Sequence, residues 1–363
     1  MEQQISNCPN FKPLLFKLDR ESERQALERL IKTEPKLEVF NQFELQVSDL
    51  LEIREPKRRF QGRELEAEVH RWLGGRVAKA LGTWVYYPWS RHLVHLLDEA
   101  DFAELRTDRN RYKITRKEQD ILATKKIGVV GLSVGQSVSL TLAMERSFGE
   151  LRLADFDRIS LSNLNRLRSG VHNIGVLKTE ITAREIAELD PYLTVKCFSE
   201  GLSEQTLNQF FLDGGKLDLL IDECDDLTMK ILMRRRASEL GIPVVMETSD
   251  RGMIDIERFD LHPDLPIFHG LIEDLDPDKL RGLSNEDKVP YVLKIVGEKI
   301  FSSRMIASLM EIGQTIKTWP QLASSVVLGG GITADVGRRI LLGQLCCSGR
   351  YFVDLDQLIS DEK

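Results

Sequence analysis

The chain has 363 residues, enough for one large domain or for a main domain with an appended one. Hydrophobic residues make up 42% and charged residues 29%, the profile of a compact globular protein rather than a disordered or fibrous one. A formal charge of -7 and a pI near 5.6 exclude general attraction to nucleic acid or anionic membranes, and nowhere do about 18 apolar residues run together as a membrane span requires.

The first segment, "MEQQISNCPNFKPLLFKLDRESERQ", lacks the apolar run of a signal peptide, so a cytoplasmic protein is expected. Residues 1 to about 115 read as an accessory domain, mixed but mostly helical. Helical charge patterning recurs in "ESERQALERLIKTE" and "GRELEAEVHRWLGGRVAKAL", and an aromatic insert follows, "TWVYYPWSRHLVHLLDEADF". No motif there attaches to chemistry; the composition suggests support of a dimer or docking of a partner.

From residue 116 to 363 short apolar runs alternate with amphipathic stretches, the pattern of a doubly wound α/β fold with a mainly parallel, Rossmann-like sheet. Strands are expected at "KIGVVG", "GELRLADFD", "LTVKCFS", "LDLLIDE" and "IPVVMETS". Helices are expected at "QSVSLTLAMERSF", "GVLKTEITAREIAELDP", "SEQTLNQFFLDGG" and "DLTMKILMRRRASELG". Beyond Ser249, "RGMIDIERFDLHPDLPIF" reads as further strand, and "DLDPDKLRGLSNEDKVP" as a polar surface excursion. A helix through "VLKIVGEKIFSSRMIASLMEIG" and another through "ITADVGRRILLGQL", placed after a glycine turn "GGG", complete the chain.

The loop after the first of these strands, "GVVGLSVGQSVSLTLA" (128–143), departs from the G-x-G-x-x-G spelling of dinucleotide folds. Gly131 holds the first place, Ser133 and Gln136 the other two, and Gly135 is displaced by one. Close backbone approach to a phosphate is expected at Ser133 and Gly135, whereas an extended pyrophosphate grip is not. The next strand runs into "ADFDRISLSNLNRLRSG" (154–170), beyond a strand's carboxyl end, where such sheets bind ligands. Asp155 suits ribose hydroxyls, Asp157 a magnesium ion or the nucleotide, and Asn163, Asn165 and Arg166 phosphate oxygens.

"ADFDRISLSNLNR" resembles the "DxDxVxxSNLxRQ" signature of the ThiF/MoeB superfamily, enzymes that adenylate ubiquitin-like and sulfur-carrier proteins. The resemblance covers residues 107–260, extends more loosely to "GGGITADVGRRILLG", and includes the ThiF-type domain found fused ahead of nitroreductase-like domains, although no such second domain is expected here after residue 363. It implies ATP and magnesium as cofactors, and a carboxylate substrate, the C-terminus of a partner protein, activated as its adenylate with loss of pyrophosphate. By the same resemblance Asp155 holds the ribose, Arg166 and Lys178 clamp phosphates, and Asp225 with Asp226 stands where magnesium is coordinated. Arg111, in the divergent segment "RTDRNRYKITRKEQ" that also offers Arg109, stands for an arginine finger supplied across a homodimer.

Taken singly, Lys178 reads equally as a surface charge, and one of Asp225 and Asp226 as no more than a helix N-cap. The thioester-forming members carry a cysteine that this chain lacks between Cys224 and Cys346, so adenylation without a covalent carrier is expected, with Cys224 a packed thiol. The five cysteines, Cys8, Cys197, Cys224, Cys346 and Cys347, are odd in number and scattered, which argues for reduced thiols; no CxxC pairing suits structural zinc. His262 and His269 lack a third ligand, and Asp250 and Arg251 are weaker candidates for contacting the acceptor carboxylate.

Three further readings stand beside the adenylating one. They are a nucleotide-binding scaffold without catalysis, an NAD-linked oxidoreductase disfavoured by the loop, and a tRNA-modifying ATP-dependent dehydratase. The last needs a basic face, for which Arg234, Arg235 and Arg236 are the candidates.

Overall fold

A computed structural model describes residues 10–272, 277–280, 283, 285–296 and 301–360. The chain divides into two compact units, Met1–Arg116 with Ile186–Tyr192, and Lys117–Glu185 with Leu193–Lys363.

In the first unit the helices α1 (Glu21–Thr33), α2 (Phe43–Arg54), α3 (Arg63–Leu73) and α4 (Glu99–Arg106) accompany a four-stranded sheet. Its strands β1 (Leu14–Lys17), β2 (Glu38–Asn41), β3 (Thr83–Tyr87) and β4 (His92–Leu96) lie in the order β1-β3-β4-β2. The aromatic insert is therefore a hairpin: β3 and β4 pair antiparallel, and Trp84, Tyr86 and Tyr87 are buried. His95 is buried with them, stacked between Phe43 (4.4 Å) and Trp84 (4.2 Å), and its ring nitrogens meet Leu81 O and Asn41 Oδ1. Burial lowers its pKa, so this imidazole is a neutral core residue rather than a ligand.

The second unit opens with α5 (Arg116–Leu122, whose first residue counts with the first unit) and carries the large sheet. Its parallel strands are β5 (Lys126–Val130), β6 (Glu150–Ala154), β7 (Thr194–Phe198), β8 (Leu219–Asp222) and β9 (Val244–Thr248). The crossovers run through α6 (Gly135–Glu145), α7 (Lys178–Leu189, whose last residues count with the first unit), α8 (Glu204–Leu212) and α9 (Leu227–Leu240). With β10 (Met253–Glu257) and β11 (Gly349–Phe352) added antiparallel, the order is β11-β10-β9-β8-β5-β6-β7. β5 thus stands at the reversal of strand order, the place where doubly wound sheets open a crevice beyond their strand ends.

β5 and β8 are buried on both faces, which is why "KIGVV" and "LLID" read as unbroken apolar runs rather than alternations. One face is closed by Leu207, Phe210, Phe211, Met233 and Ala237 of α8 and α9. Gly128 lets Phe210 approach: a Cβ there would lie 2.8 Å from its ring. Ser203 and Thr206 form a capping box at the start of α8, and α9 starts on Asp226 and ends on Gly241 at φ +59°.

The C-terminal part departs from the sequence reading in several places. The glycine triplet is no turn: α13 (Ala323–Leu341) runs straight through Gly329, Gly330 and Gly331. Close packing is the cause, since a Cβ at Gly330 would stand 2.2 Å from Ser137 Oγ on α6. The supposed polar excursion contains α10 (Pro277–Leu280) and the start of α11 (Asn285–Val296), with Leu280 and Ile295 buried against Leu227, Ile231, Met246 and Phe268. The helix expected through 292–313 is divided among α11, a stretch (297–300) outside the described residues, and α12 (Ser303–Leu309), which starts on a new cap at Ser302. β11, too short to show a period, and α14 (Leu355–Leu358) finish the chain.

Among the described residues no helix is long and apolar enough to cross a membrane.

Candidate nucleotide site

A cavity of about 620 Å³ opens beyond the carboxyl ends of β5, β6 and β8. Its polar lining includes Gly131, Ser133, Asp155, Asp157, Lys178 and Asp225, and its apolar lining includes Phe156, Leu202, Met229 and Leu232. Most residues singled out in the sequence are thus brought to one place by the ends of three adjacent strands.

Gly131 makes the turn out of β5 at φ +86°, and a Cβ there would lie 2.3 Å from Glu223 O, so no other residue fits without shifting the loop. Gly135 plays a different part from the one expected. It is buried, and a Cβ on it would lie 2.8 Å from Val129 Cγ1, so this glycine seats α6 against β5 and the ligand-facing loop is Gly131, Leu132 and Ser133. Gln136, which replaces the third glycine, is also structural. Its amide clasps both backbone groups of Arg168, accepting from the N–H at 2.9 Å and donating to the carbonyl at 3.1 Å. Through these two bonds Gln136 ties the loop to the arginine segment.

Asp155 locks the loop from the side. Its Oδ2 accepts from Leu132 N and its Oδ1 from Asp157 N, each at 2.7 Å. Burial pushes its pKa up, against the opposing pull of Lys178, whose Nζ lies 3.7 Å away. Lys178 is no surface charge. At the start of α7 its side chain is 7% exposed, and its Nζ donates to Asp157 Oδ2 at 2.7 Å.

Arg166 donates to Ser133 Oγ at 3.1 Å and to Asn165 Oδ1 at 2.9 Å, while Asn165 donates to Gln321 O. Its Nε is buried with no hydrogen-bond partner among the described residues. Burial lowers the pKa of this guanidinium and Asp225 works the other way; an anion at the loop would satisfy both the charge and the open donor. Asn163 is engaged locally instead, accepting from Ser160 N in the cap of the short turn Leu161–Asn165.

Asp225 reaches the cavity and stays open to solvent, with no hydrogen bond to its carboxylate among the described residues. The protein around it raises its pKa, with Lys230 and Lys178 in opposition. Its neighbour Asp226 is the N-cap of α9, Oδ1 accepting from Met229 N at 2.7 Å, which leaves one oxygen for any cation. Magnesium is held by one or two carboxylates together with substrate phosphates, so Asp225, with Asp157 beside Lys178, fits that donor chemistry. Among the described residues no group of three or more His, Cys, Asp or Glu forms a closed metal site.

Arg111 lies in the first unit, paired with Asp108 at 3.0 Å and Glu104 at 3.5 Å. Cys224 is packed under the cavity, and burial pushes its thiol up to about 12. Cys197 is a partly buried thiol that donates to Thr179 O, Cys346 and Cys347 are exposed thiols, and Cys8 lies outside the described residues. Asp250 is taken up by Ser302, accepting from its N–H and hydroxyl, and Arg251 by Asp354. His269 pairs with Asp255 at 3.0 Å, which raises its pKa.

The run Arg234–Arg236 makes no basic face. Arg234 is fully buried, bound to Asp222 and to Glu257 (2.6 Å) and stacked over Phe268 at 3.9 Å; Arg236 pairs with Glu239. Burial alone would keep Asp222 protonated, but Lys230 at 3.1 Å and Arg234 outweigh it and hold the carboxyl below the ordinary range. This ion network anchors β8 just before Asp225. Sequence reasoning missed it, and the only signal was a charged residue, Asp222, ending an otherwise apolar strand.

Comparison with known proteins follows the same outline. The ThiF family profile matches residues 107–318. An uncharacterized protein of Mycobacterium tuberculosis (strain CDC 1551 / Oshkosh) is 50% identical over 272 residues, 75% of this chain and 38% of that protein. The molybdopterin-synthase adenylyltransferase of Haemophilus influenzae is 25% identical over 157 residues, 42% of this chain and 62% of that protein. The chain therefore spans less than two thirds of the length of either relative. Of solved structures, the E. coli tRNA N6-threonylcarbamoyladenosine dehydratase in complex with ATP is 17% identical, aligns with 68% of this chain and 97% of its own, and has a TM-score of 0.48.

Proposed function

Because the chain belongs to the ThiF family, we propose that it binds ATP in the cavity beyond β5, β6 and β8 and uses it to adenylate a carboxylate, the C-terminus of a partner protein. The observation that carries this reading is the half-buried Arg166 guanidinium, whose buried Nε has no partner among the described residues and whose Nη2 rests on Ser133 in the loop after β5. A cation so placed calls for a phosphate.

In this reading Phe156, Leu202 and Leu232 take the base, and the ribose hydroxyls donate to lone pairs that Asp155 still has free. The phosphates lie over Gly131, Leu132 and Ser133. The carboxylate oxygen attacks the α-phosphorus, the bond to the bridging oxygen breaks, and pyrophosphate leaves with its charge spread over Arg166 and Lys178. Such transfer rests on positioning and charge stabilisation and needs no protein nucleophile, in keeping with a Cys224 thiol that stays protonated. Magnesium, held by Asp225, would supply further neutralisation of the phosphates. Arg111 from a second copy of the chain completes the proposal, with a homodimer as the working state.

The test is calorimetry of ATP with magnesium on the wild type and on Asp225→Ala, with NAD as the control, followed by exchange of labelled pyrophosphate into ATP. Binding of ATP that the substitution abolishes, with exchange on addition of a carboxylate partner, supports the reading. Equal binding of NAD, or none of ATP, sinks it; binding without exchange points to a scaffold.

A further inference from the structure

Next to the nucleotide cavity lies a second, of about 170 Å³, which shares Ser133, Glu223, Cys224 and Asp225 with it and continues past the ends of β8 and β9. Its wall is mostly apolar, with Met246 of β9, Val292 and Ile295 of α11, Met305 of α12, and Phe301 and Trp319 from the connections near them. It also shares Ser249, Asp250, Met305, Pro320 and Gln321 with a third cavity, of about 410 Å³, while the first and third have no lining residue in common. The second cavity is therefore the middle one of three in a row.

The charged residues on its lining are already committed. Lys230 donates to Asp222 Oδ2 at 3.1 Å, and Asp250 accepts from the N–H and the hydroxyl of Ser302. Glu223 accepts from the N–H of Glu247 at 3.2 Å. Glu247 has both oxygens buried against Gly329 of α13, where an added Cβ would lie 2.6 Å from each, and no described residue of that helix lines the cavity. Burial raises the pKa of both acids, that of Glu247 to about 8, so the pair adds little negative charge near neutrality. Asp225, on the shared wall, is left to the nucleotide site. A charged guest would shed its hydration here without a free counter-charge beyond Asp225, whereas an apolar guest would gain by leaving water against Phe301 and Trp319.

We propose that the middle cavity receives the terminal residue of the acyl substrate, the one whose carboxylate is activated, and that this residue carries an uncharged apolar side chain of the size of leucine. The inference rests on the adenylation reading and deepens it by naming the class of substrate. A carboxylate at the shared wall, beside Ser133, is bonded directly to the α-carbon of its own residue, so that residue's side chain falls in the second cavity. The preceding residues, each spanning about 3.3–3.6 Å of extended chain, leave through the third. Burial of the apolar side chain, which a terminal glycine lacks, then selects the substrate.

The purified full chain is titrated by calorimetry, without nucleotide, with N-acetyl-alanyl-leucine, N-acetyl-alanyl-glycine and N-acetyl-alanyl-lysine. The same titrations are made on Val292→Trp and Met305→Trp, which fill the cavity from two different helices. ATP binding and the thermal midpoint of each variant show whether it is folded. The wild type is expected to bind the leucine peptide at least about tenfold more tightly than the glycine and lysine peptides, and a folded filled variant to bind it at least about tenfold more weakly than the wild type does. Exchange of labelled pyrophosphate into ATP should then be supported best by the leucine peptide. Equal affinity for the leucine and glycine peptides, tighter binding of the lysine peptide, undiminished leucine binding in a folded filled variant, or no leucine binding by the wild type overturns the proposal. The two readings fail separately. Exchange that is indifferent to the terminal residue upholds adenylation and removes the apolar site, whereas selective leucine binding without ATP binding or exchange refutes adenylation and leaves the cavity as a site for an apolar carboxyl-terminal residue.

Discussion

Two neighbouring glycines in α13 are expected to respond in opposite ways to the same substitution. Around Gly331 a Cβ would meet nothing within 4 Å, and the residue is exposed. Gly331→Ala should therefore stabilise the protein by about 1 kcal/mol, the ordinary difference between alanine and glycine inside a helix. At Gly330 the same methyl would lie 2.2 Å from Ser137 Oγ, 2.8 Å from its Cβ and 2.9 Å from its carbonyl carbon. Backbone is among those atoms, so α6 and α13 would have to part, and overpacking of this kind costs about 1–3 kcal/mol. The helix-propensity gain is common to both variants and cancels in their difference, so Gly330→Ala should be less stable than Gly331→Ala by about 1–3 kcal/mol. Urea unfolding followed by circular dichroism measures this as a separation of midpoints at unchanged slope. If Gly330→Ala proves as stable as Gly331→Ala, the close crossing of the two helices is wrong.

Three further outcomes are expected. Arg234→Ala leaves Asp222 and Glu257 buried without their shared cation and should cost about 3–5 kcal/mol in urea unfolding; a loss below about 1 kcal/mol would mean that the pair is not buried as described. Burial pushes Glu247 from its ordinary 4.5 up to about 8, so between these values the folded protein holds a proton that the unfolded chain releases. Stability should consequently fall as pH rises through that window, by up to about 1.4 kcal/mol per pH unit from this group. Glu247→Gln should flatten the profile, and an unchanged slope in the variant would count against the burial of that acid. Iodoacetamide at pH 8 followed by mass spectrometry should label the exposed Cys346 and Cys347 and spare Cys224, whose thiol stays protonated there; early labelling of Cys224 would revive it as a nucleophile.

Much of the site was legible because its residues sit at fixed distances from strand ends. Ser133, Asp155 and Asp225 follow β5, β6 and β8, and the order of strands in the chain is enough to bring their tails together. What could not be read was the direction of each side chain's commitment. Gly135 looks like a phosphate-loop glycine, yet its constraint is Val129, a contact that depends on how α6 lies on β5. Gln136 looks like a lost glycine and turns out to hold Arg168. Arg234 resembles its exposed neighbour Arg235 in sequence, and only the helical phase against β8 and β10 separates a buried ion network from a surface charge. The glycine triplet was misread for a similar reason: local propensity argues for a break, and tertiary packing of α13 against α6 and Glu247 overrides it. The sheet of the first unit was hidden because β2 is exposed throughout and β1 buries a single residue, so neither shows the apolar run that marks β5 and β8.

The place of β5 between β6 and β8 also bears on how the protein acquires its site in time. Ile127 lies opposite Leu151 on one side and Leu219 on the other, so the ribosome delivers the second neighbour long after the first. Closing a loop of that length is costly in entropy before its contacts repay it, and parallel pairing of distant segments is slow. The loop at Gly131 packs on the Glu223 carbonyl, a group that arrives with β8. A nascent chain that has emerged only as far as β7 would carry Asp155 and Lys178 without the surface that shapes the turn, and nucleotide would find a completed cradle only once the last parallel strands had docked.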